Sequence, residues 1–217
     1  ESYCNSNGLL FAFALEGQRP VMDWVDLINS HYFGYLVMSG GKIKLGCYRL
    51  QDPVATLTVD DLVVESEDDV PVQIKKRPYK DTANKIELSW TNRAKLYENS
   101  VVVANDEVDQ RVSRKVRTRS LQLAGITESE LAQDTAYRML FESLFRFTSY
   151  IFKLGYKNML LEAGDVVLLS DGGVIVEQRV RITMVRQSKD GRTLDVEAME
   201  DLPYLYEIAE AEAASPD

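Results

Sequence analysis

The sequence predicts an α+β chain, mainly β, in which a small α/β unit precedes an antiparallel β barrel or sandwich that carries one amphipathic helix. Three observations lead there. Ile86, Leu88 and Trp90 alternate with charged or polar neighbours, the period of a strand with one buried face. Paired glycines or Asp-Gly steps at Gly40-Gly41, Gly172-Gly173 and Asp190-Gly191 punctuate runs rich in β-branched residues, as hairpin turns do. Ile126-Thr-Glu-Ser-Glu130-Leu131 sets a threonine N-cap three residues ahead of a glutamate, with apolar residues at the staple positions, just before the one long helical stripe.

Taken in order, Leu9 to Leu15 is a continuous apolar run, which predicts a strand covered on both faces. Pro20 then opens a helix in which Val21, Trp24, Val25, Leu27 and Ile28 recur at helical spacing to about His31. Tyr35 to Met38 and Ile43 to Cys47, around Gly40-Gly41, read as a hairpin. Residues 1–58 form the predicted α/β unit, residues 59–202 the β domain, and residues 203–217 an acidic tail or linker.

Within the β domain, strands are expected at Val72 to Lys75, Lys85 to Trp90, Ser100 to Ala104 and Arg111 to Leu123. A helix is expected over about 128–145, its apolar stripe running through Leu131, Ala132, Thr135, Ala136, Met139, Leu140 and Leu144. Strands follow at Phe147 to Leu154 and Val166 to Leu169, and a last hairpin at Gln178 to Gln187 and Arg192 to Met199. Asp60 and Asp61 read as a turn ahead of Leu62.

Composition narrows the function classes. The formal charge is −9, from 34 acidic and 25 basic side chains. No Lys or Arg follows Arg192, while Asp195, Glu197, Glu200, Asp201, Glu207, Glu210, Glu212 and Asp217 do. The body is therefore near neutral, which removes the collective positive field on which nucleic-acid or anionic-lipid binding relies and leaves only a local patch to supply it. No stretch approaches the ~20 apolar residues of a membrane span, so no membrane anchor is expected. The start at Glu1, amid sequence of structured character, reads as the edge of a fragment of a longer polypeptide.

The chemistry-bearing residues are few. His31 is the only histidine, and Cys4 and Cys47 are the only cysteines, so zinc sites of the usual type are excluded; the two cysteines are either one disulfide or two buried thiols. At the predicted end of a helix, His31 reads as a C-terminal charge partner or a packed surface ring rather than a catalytic base. Glu65-Ser-Glu-Asp-Asp69 lacks the spacing of a calcium loop and reads as solvated. Asp60-Asp61 and Glu128/Glu130 show no carboxylates set across a groove. No glycine pair precedes a helix as phosphate-binding loops require. No catalytic, cofactor or metal site is expected, and hence no enzyme.

The remaining motif is basic. Arg111, Arg114, Lys115, Arg117 and Arg119 occur with no acid among residues 110–120. On a strand, Arg111, Lys115, Arg117 and Arg119 share one face and Val112, Val116 and Arg114 the other. Such a face is either a solvated edge that discourages pairing or a surface for a partner's acids or a phosphate chain.

The order of elements from about Met22 to Leu202 resembles the hub, or tail-tip attachment, proteins of long-tailed phages and gene transfer agents. The likeness is carried by Gly41-Lys-Ile-Lys-Leu45, Leu57-Thr-Val-Asp-Asp-Leu-Val63, Lys85-Ile-Glu-Leu-Ser-Trp90 with Val101-Val-Val103, Ile126-Thr-Glu-Ser-Glu-Leu-Ala132 and its helix, Leu161-Glu-Ala-Gly-Asp-Val-Val167, and Asp195-Val-Glu-Ala198. The resemblance implies a tail-tube-like β domain and a structural role in the virion tail tip or baseplate hub of a phage or prophage. It further implies a homotrimeric ring linking tube to tip, with the distal tail ring and tail fibre as neighbours, transient contact with passing DNA, and assembly in the bacterial host cytoplasm. In such a ring, Arg111, Lys115, Arg117 and Arg119 would face a neighbouring subunit or line the channel. The alternative is a receptor- or carbohydrate-binding module using Trp90, Tyr97, Tyr150 or Tyr156.

Overall fold

The computed structural model describes residues 12, 18, 20–39, 42–66, 69–146, 148–189 and 191–206. In chain order its elements are α1 (Val21–His31), β1 (Gly34–Ser39), β2 (Lys42–Cys47), β3 (Ala55–Leu57), β4 (Val72–Lys76), β5 (Lys85–Asn92), β6 (Glu98–Asn105), α2 (Glu107–Ser113), β7 (Thr118–Leu123), α3 (Ser129–Phe145), β8 (Thr148–Gly155), β9 (Val166–Leu169), β10 (Gln178–Gln187) and β11 (Thr193–Glu200). The expected strand at Leu9 to Leu15, the Gly40-Gly41 turn, Cys4 and the acidic tail from residue 207 lie outside the described residues.

The chain folds into two compact units that interleave along the sequence. One takes Glu1–Leu36, Tyr79–Phe145 and Tyr204–Asp217; the other takes Val37–Pro78 and Arg146–Pro203. The sequence reading instead cut the chain near residues 58 and 202. Long-range strand pairing dictates the difference: β3 and β4 each join strands more than 70 residues onward.

In the first unit, β5 is the centre of a three-stranded sheet, antiparallel to β6 and parallel to β7. Its period-two pattern holds as expected: Ile86, Leu88 and Trp90 are buried, with Trp90 only 2% exposed. Ala132, Ala136 and Leu140 of α3 close over that face, joined by Ala104, Leu123 and Ile126. The two alanines, one turn apart, leave room for the large β5 side chains to interdigitate with the helix. Ile126 is fully buried and Leu131 packs on the same cluster, at the start of α3.

His31 departs from its expected role. It is buried in this unit, its Nδ1 2.7 Å from the Leu27 carbonyl and its Nε2 accepting the Gly125 N–H at 3.1 Å. A backbone N–H can only donate, so the proton sits on Nδ1 and the ring is held neutral. Burial pushes its pKa below the ordinary 6.5, against the opposing Leu27 hydrogen bond. A lowered histidine pKa means that the unfolded chain binds the proton more readily. The stability His31 contributes is therefore complete above about pH 6.5 and falls as pH drops toward the folded-state value. Thermal unfolding from pH 7.5 to 5 is expected to show this loss, and the His31→Gln variant to lack that part of it.

In the second unit, β1 and β2 form a two-stranded sheet, and six strands form another in the order β3-β9-β10-β11-β8-β4, antiparallel except for β3 beside β9. Leu57 ends β3 and Leu62 bridges Leu154 of β8. Leu154 already has Leu194 of β11 on one side, so Leu62 lies beyond β8. Five strand spacings, roughly 24 Å on a flat sheet, would separate it from Leu57, yet the link between them spans ~17 Å at most and contains the turn Val59–Asp61. The sheet must therefore curl. A bulge between Ile182 and Met184 adds to its twist. Leu57, Phe152, Leu154, Val167, Leu169, Val180, Ile182 and Val196 fill the concave side. β3 and β4 remain separate edges, so the expected barrel is an open, curled sheet.

β10 is buried on both faces at once. Val180 and Ile182 point into the core, while Arg181, with no exposed surface, points away from it. Its guanidinium donates from Nε to Asp201 Oδ1 (3.1 Å), from one terminal nitrogen to Gln51 Oε1 (2.7 Å) and the Gly164 carbonyl (3.1 Å), and from the other to the Arg49 carbonyl (2.7 Å). Arg179 Nε donates to Asp201 Oδ2 at 2.7 Å, so one buried carboxylate serves two arginines.

Candidate interaction surface

The four residues expected on one strand face are separated by the fold. Arg111 lies on α2, Lys115 and Arg117 in the link after it, and Arg119 on β7. The helix forms because Asp106 caps it, its side chain accepting the Asp109 N–H at 2.8 Å, with acids in the first turn and an Arg111–Glu107 pair at i, i+4. Arg114, in the left-handed region at φ 52°, ends it. Over so short a stretch, Val108, Val112 and Val116 fit a four-residue period as well as an alternating one.

Arg117 is withdrawn from the surface. Its guanidinium binds Asp109 Oδ2 at 2.7 Å and the Thr82 carbonyl at 2.6 Å and stacks 4.2 Å from the centre of the Tyr79 ring. Asp109 also accepts the Tyr79 hydroxyl and the Asn84 amide (2.7 Å). Asn84, fully buried, ties the cluster together by accepting the Arg117 N–H at 2.6 Å and donating to the Lys115 carbonyl at 2.8 Å. Burial alone would raise the Asp109 pKa; the donors from Tyr79, Asn84 and Arg117 outweigh it and hold the carboxyl below its usual range. Tyr79 and Asn84 were not singled out in the sequence, where Pro78 to Asn84 reads only as a turn.

Arg111, Lys115 and Arg119 are exposed, as is Arg114. Beside them Val108, Val112 and Val116 are 72%, 79% and 60% exposed. α2 is thus inverted: Asp109 and Gln110 face the body, Gln110 through a 3.0 Å bond to the Asn84 carbonyl, and the valines face solvent.

A second apolar display lies in the other unit. Residues 170–177 are braced by Asp171, whose Oδ1 accepts the N–H groups of Gly173 (2.8 Å) and Ile175 (2.9 Å), and by Ser170 Oγ, which accepts Glu177 N–H at 2.9 Å. Ile175 is buried, while its neighbours Val174 and Val176 stand 88% and 75% exposed.

The other chemistry-bearing residues have local roles or none visible. Asp61 completes a capping box with Thr58. Lys157 at 2.7 Å, then the Thr58 backbone N–H, holds its pKa at about 2. Among the described residues, no three His, Cys, Asp or Glu side chains gather as a metal site, and no helix is long and apolar enough to cross a membrane. Of the aromatics considered for sugar stacking, Trp90 and Tyr150 are buried; Tyr97 and Tyr156 are exposed but belong to different units.

Comparison with known proteins adds the following. The family described as "Putative phage tail protein" matches residues 20–185. No curated protein matches the chain. Among solved structures, a chain in the virion of a native gene transfer agent particle superposes with a TM-score of 0.68 at 21% identity, covering 94% of this chain and 46% of that one. A tail protein from Neisseria meningitidis MC58 gives 0.58 at 14% identity, covering 89% of this chain and 59% of that one. The 43 kDa tail protein of prophage MuSo2 from Shewanella oneidensis gives 0.55 at 10% identity, covering 89% and 56%. These likenesses establish a shared fold, and the chain spans about half the length of the solved chains it resembles.

Proposed function

The chain belongs to the phage tail protein family, and from that premise we propose that it is a structural component of the tail tip or baseplate hub, one subunit of a ring that connects the tail tube to the tip or fibre. The observation that carries this reading is the fold likeness, over nearly the whole chain, to a chain of an assembled gene transfer agent virion. The proposed ring is a homotrimer, with the distal tail ring and the fibre as neighbours, built in the host cytoplasm and touched in passing by DNA. Arg111, Lys115 and Arg119 are its proposed interface or channel cations. Arg117 instead holds the local fold.

The 170–177 loop supports an assembly role on physical grounds. An ordered loop that holds two valines in water forgoes the burial energy such side chains would supply, about 1.5–3 kcal/mol each when fully covered. Light scattering on a sizing column, over a range of concentrations, is expected to give a species three times the 24.6 kDa chain mass. A monomer at every concentration, also in the presence of the distal ring protein, would overturn the ring. Replacing both valines (Val174→Asp with Val176→Asp) is expected to leave the melting temperature within ~1 °C and to abolish the larger species. A retained ring would remove this loop from the interface. Burial of Trp90 and Tyr150 takes away two of the four aromatics on which the sugar-binding alternative relied.

A further inference from the structure

The inverted helix α2 calls for an occupant. A surface helix ordinarily buries its apolar stripe and wets its polar one. In α2 the polar side is spent on Asn84, while Val108 and Val112, one turn apart, open with Val116 onto solvent between Arg111, Arg114 and Lys115. Arg111 has Glu107 beside it, but Arg114 and Lys115 have no carboxylate partner among the described residues. The face is thus apolar with a cationic rim, which fits an acidic, apolar partner. It fits nucleic acid poorly, because the valines between the cations give a phosphate chain nothing to bind.

The 170–177 loop carries the matching chemistry. Val174 and Val176 stand in water on either side of the buried Ile175, and the segment holds Asp171 and Glu177 with no base. Glu177 is exposed and has no cation partner among the described residues. Asp171 and Ser170 already fix the loop's shape, so docking it costs little further ordering. We propose that the α2 face of one copy receives the 170–177 loop of a second copy, the valines meeting at the centre and Glu177 facing Arg114 and Lys115 at the rim. An apolar centre inside a charged rim is the usual anatomy of a protein interface. Neither patch suits its own kind. A twofold pairing of α2 faces would bring two cationic rims together, and a twofold pairing of loops two acidic ones. The contact is therefore head-to-tail, and head-to-tail contacts close into rings or run on as filaments. It deepens the ring reading by naming the two halves of the joint, and rests on that reading for its purpose.

The test is disulfide trapping between two versions of the 217-residue chain in a glutathione redox buffer. Both carry Cys4→Ser and Cys47→Ser; one adds Val112→Cys and the other Val174→Cys, exposed positions at which the melting temperature is expected to hold. The mixture is expected to form the 112–174 link at least ~10-fold faster than Val174→Cys forms a link with Val101→Cys, an exposed collision control on β6, because docking raises the effective concentration of one thiol at the other. Links of 112 to 112 and of 174 to 174 are expected to stay at the control rate. Adding Glu177→Arg to the loop chain is expected to slow the 112–174 link at least ~5-fold by setting like charges together, and Arg114→Glu with Lys115→Glu in its partner to restore it. A 112–174 rate no faster than the control, like-with-like links in excess of it, or indifference to the charge swap would overturn the contact. Light scattering of the parent chain tells this failure from that of the ring. A trimer without the 112–174 link would keep the ring and remove this joint, and a charge-sensitive link in a chain that stays monomeric would sink the ring and leave the contact standing.

Discussion

Replacing Asp201 with alanine is expected to destabilise the second unit by about 3–5 kcal/mol, because it strands Arg181 as a buried charge without its counter-ion. Asp201 is itself buried and receives both Arg181 and Arg179. Domains of this size are stable by roughly 5–15 kcal/mol, so the loss is a large share of the whole. Both tryptophans, Trp24 and Trp90, lie in the first unit, and their fluorescence reports on the wrong place. Amide hydrogen exchange on β8 to β11 reads the second unit directly, and protection there should fall by roughly two to four orders of magnitude. A loss of less than about tenfold would show that Arg181 reaches water in solution.

The usual escape from a buried ion pair is to replace both partners with apolar residues, which is often neutral or stabilising. It should fail here. Arg181 also serves the carbonyls of Arg49 and Gly164 and the side chain of Gln51, so an Arg181→Met, Asp201→Leu variant leaves acceptors unpaired at about 1–3 kcal/mol each. Asp201→Ala and the double variant should therefore both be unstable, which separates this site from an ion pair kept only for its charge.

What the sequence revealed follows from the range over which each feature is written. β5 was legible because Ile86, Leu88 and Trp90 spell a two-residue period within one strand, and α3 because its capping residues and stripe lie within twenty residues of each other. The β10–β11 hairpin was legible for the same reason. α2 was not, since three valines four residues apart satisfy two periods in so short a segment; the informative signal was the cap at Asp106, which the valine and arginine spacing overshadowed. The parallel pairings of β3 with β9 and β5 with β7 are set by chain returning from afar, which no local pattern records. Arg181 was the least legible of all. In an alternating strand an arginine reads as a surface residue, and only the convergence of residues 49, 51, 164 and 201 makes it the centre of a buried network.

The same distinction decides how the basic segment must be probed. Arg117→Ala is expected to destabilise the first unit by about 2–3 kcal/mol, because it removes the charged donor from the part-buried Asp109 and the donor to the Thr82 carbonyl. Arg119→Ala, on an exposed position of β7, should stay within ~0.5 kcal/mol of the parent. Denaturant unfolding followed by tryptophan fluorescence measures both, since Trp90 lies in the same core. Arg117→Glu should be worse than Arg117→Ala, because it sets a second carboxylate against Asp109. A paired reversal of Arg117 and Arg119 would therefore abolish assembly by damaging the subunit, whichever surface the ring uses. The informative reversal is Arg111→Glu with Arg119→Glu, which leaves the Asp109 cluster untouched. Loss of the ring in that variant at unchanged stability would place these cations in the interface, and an intact ring would move the interface elsewhere. If instead Arg117→Ala proved neutral, the Tyr79, Asn84 and Asp109 cluster would have to hold α2 without it, and Arg117 would return to the list of interface residues.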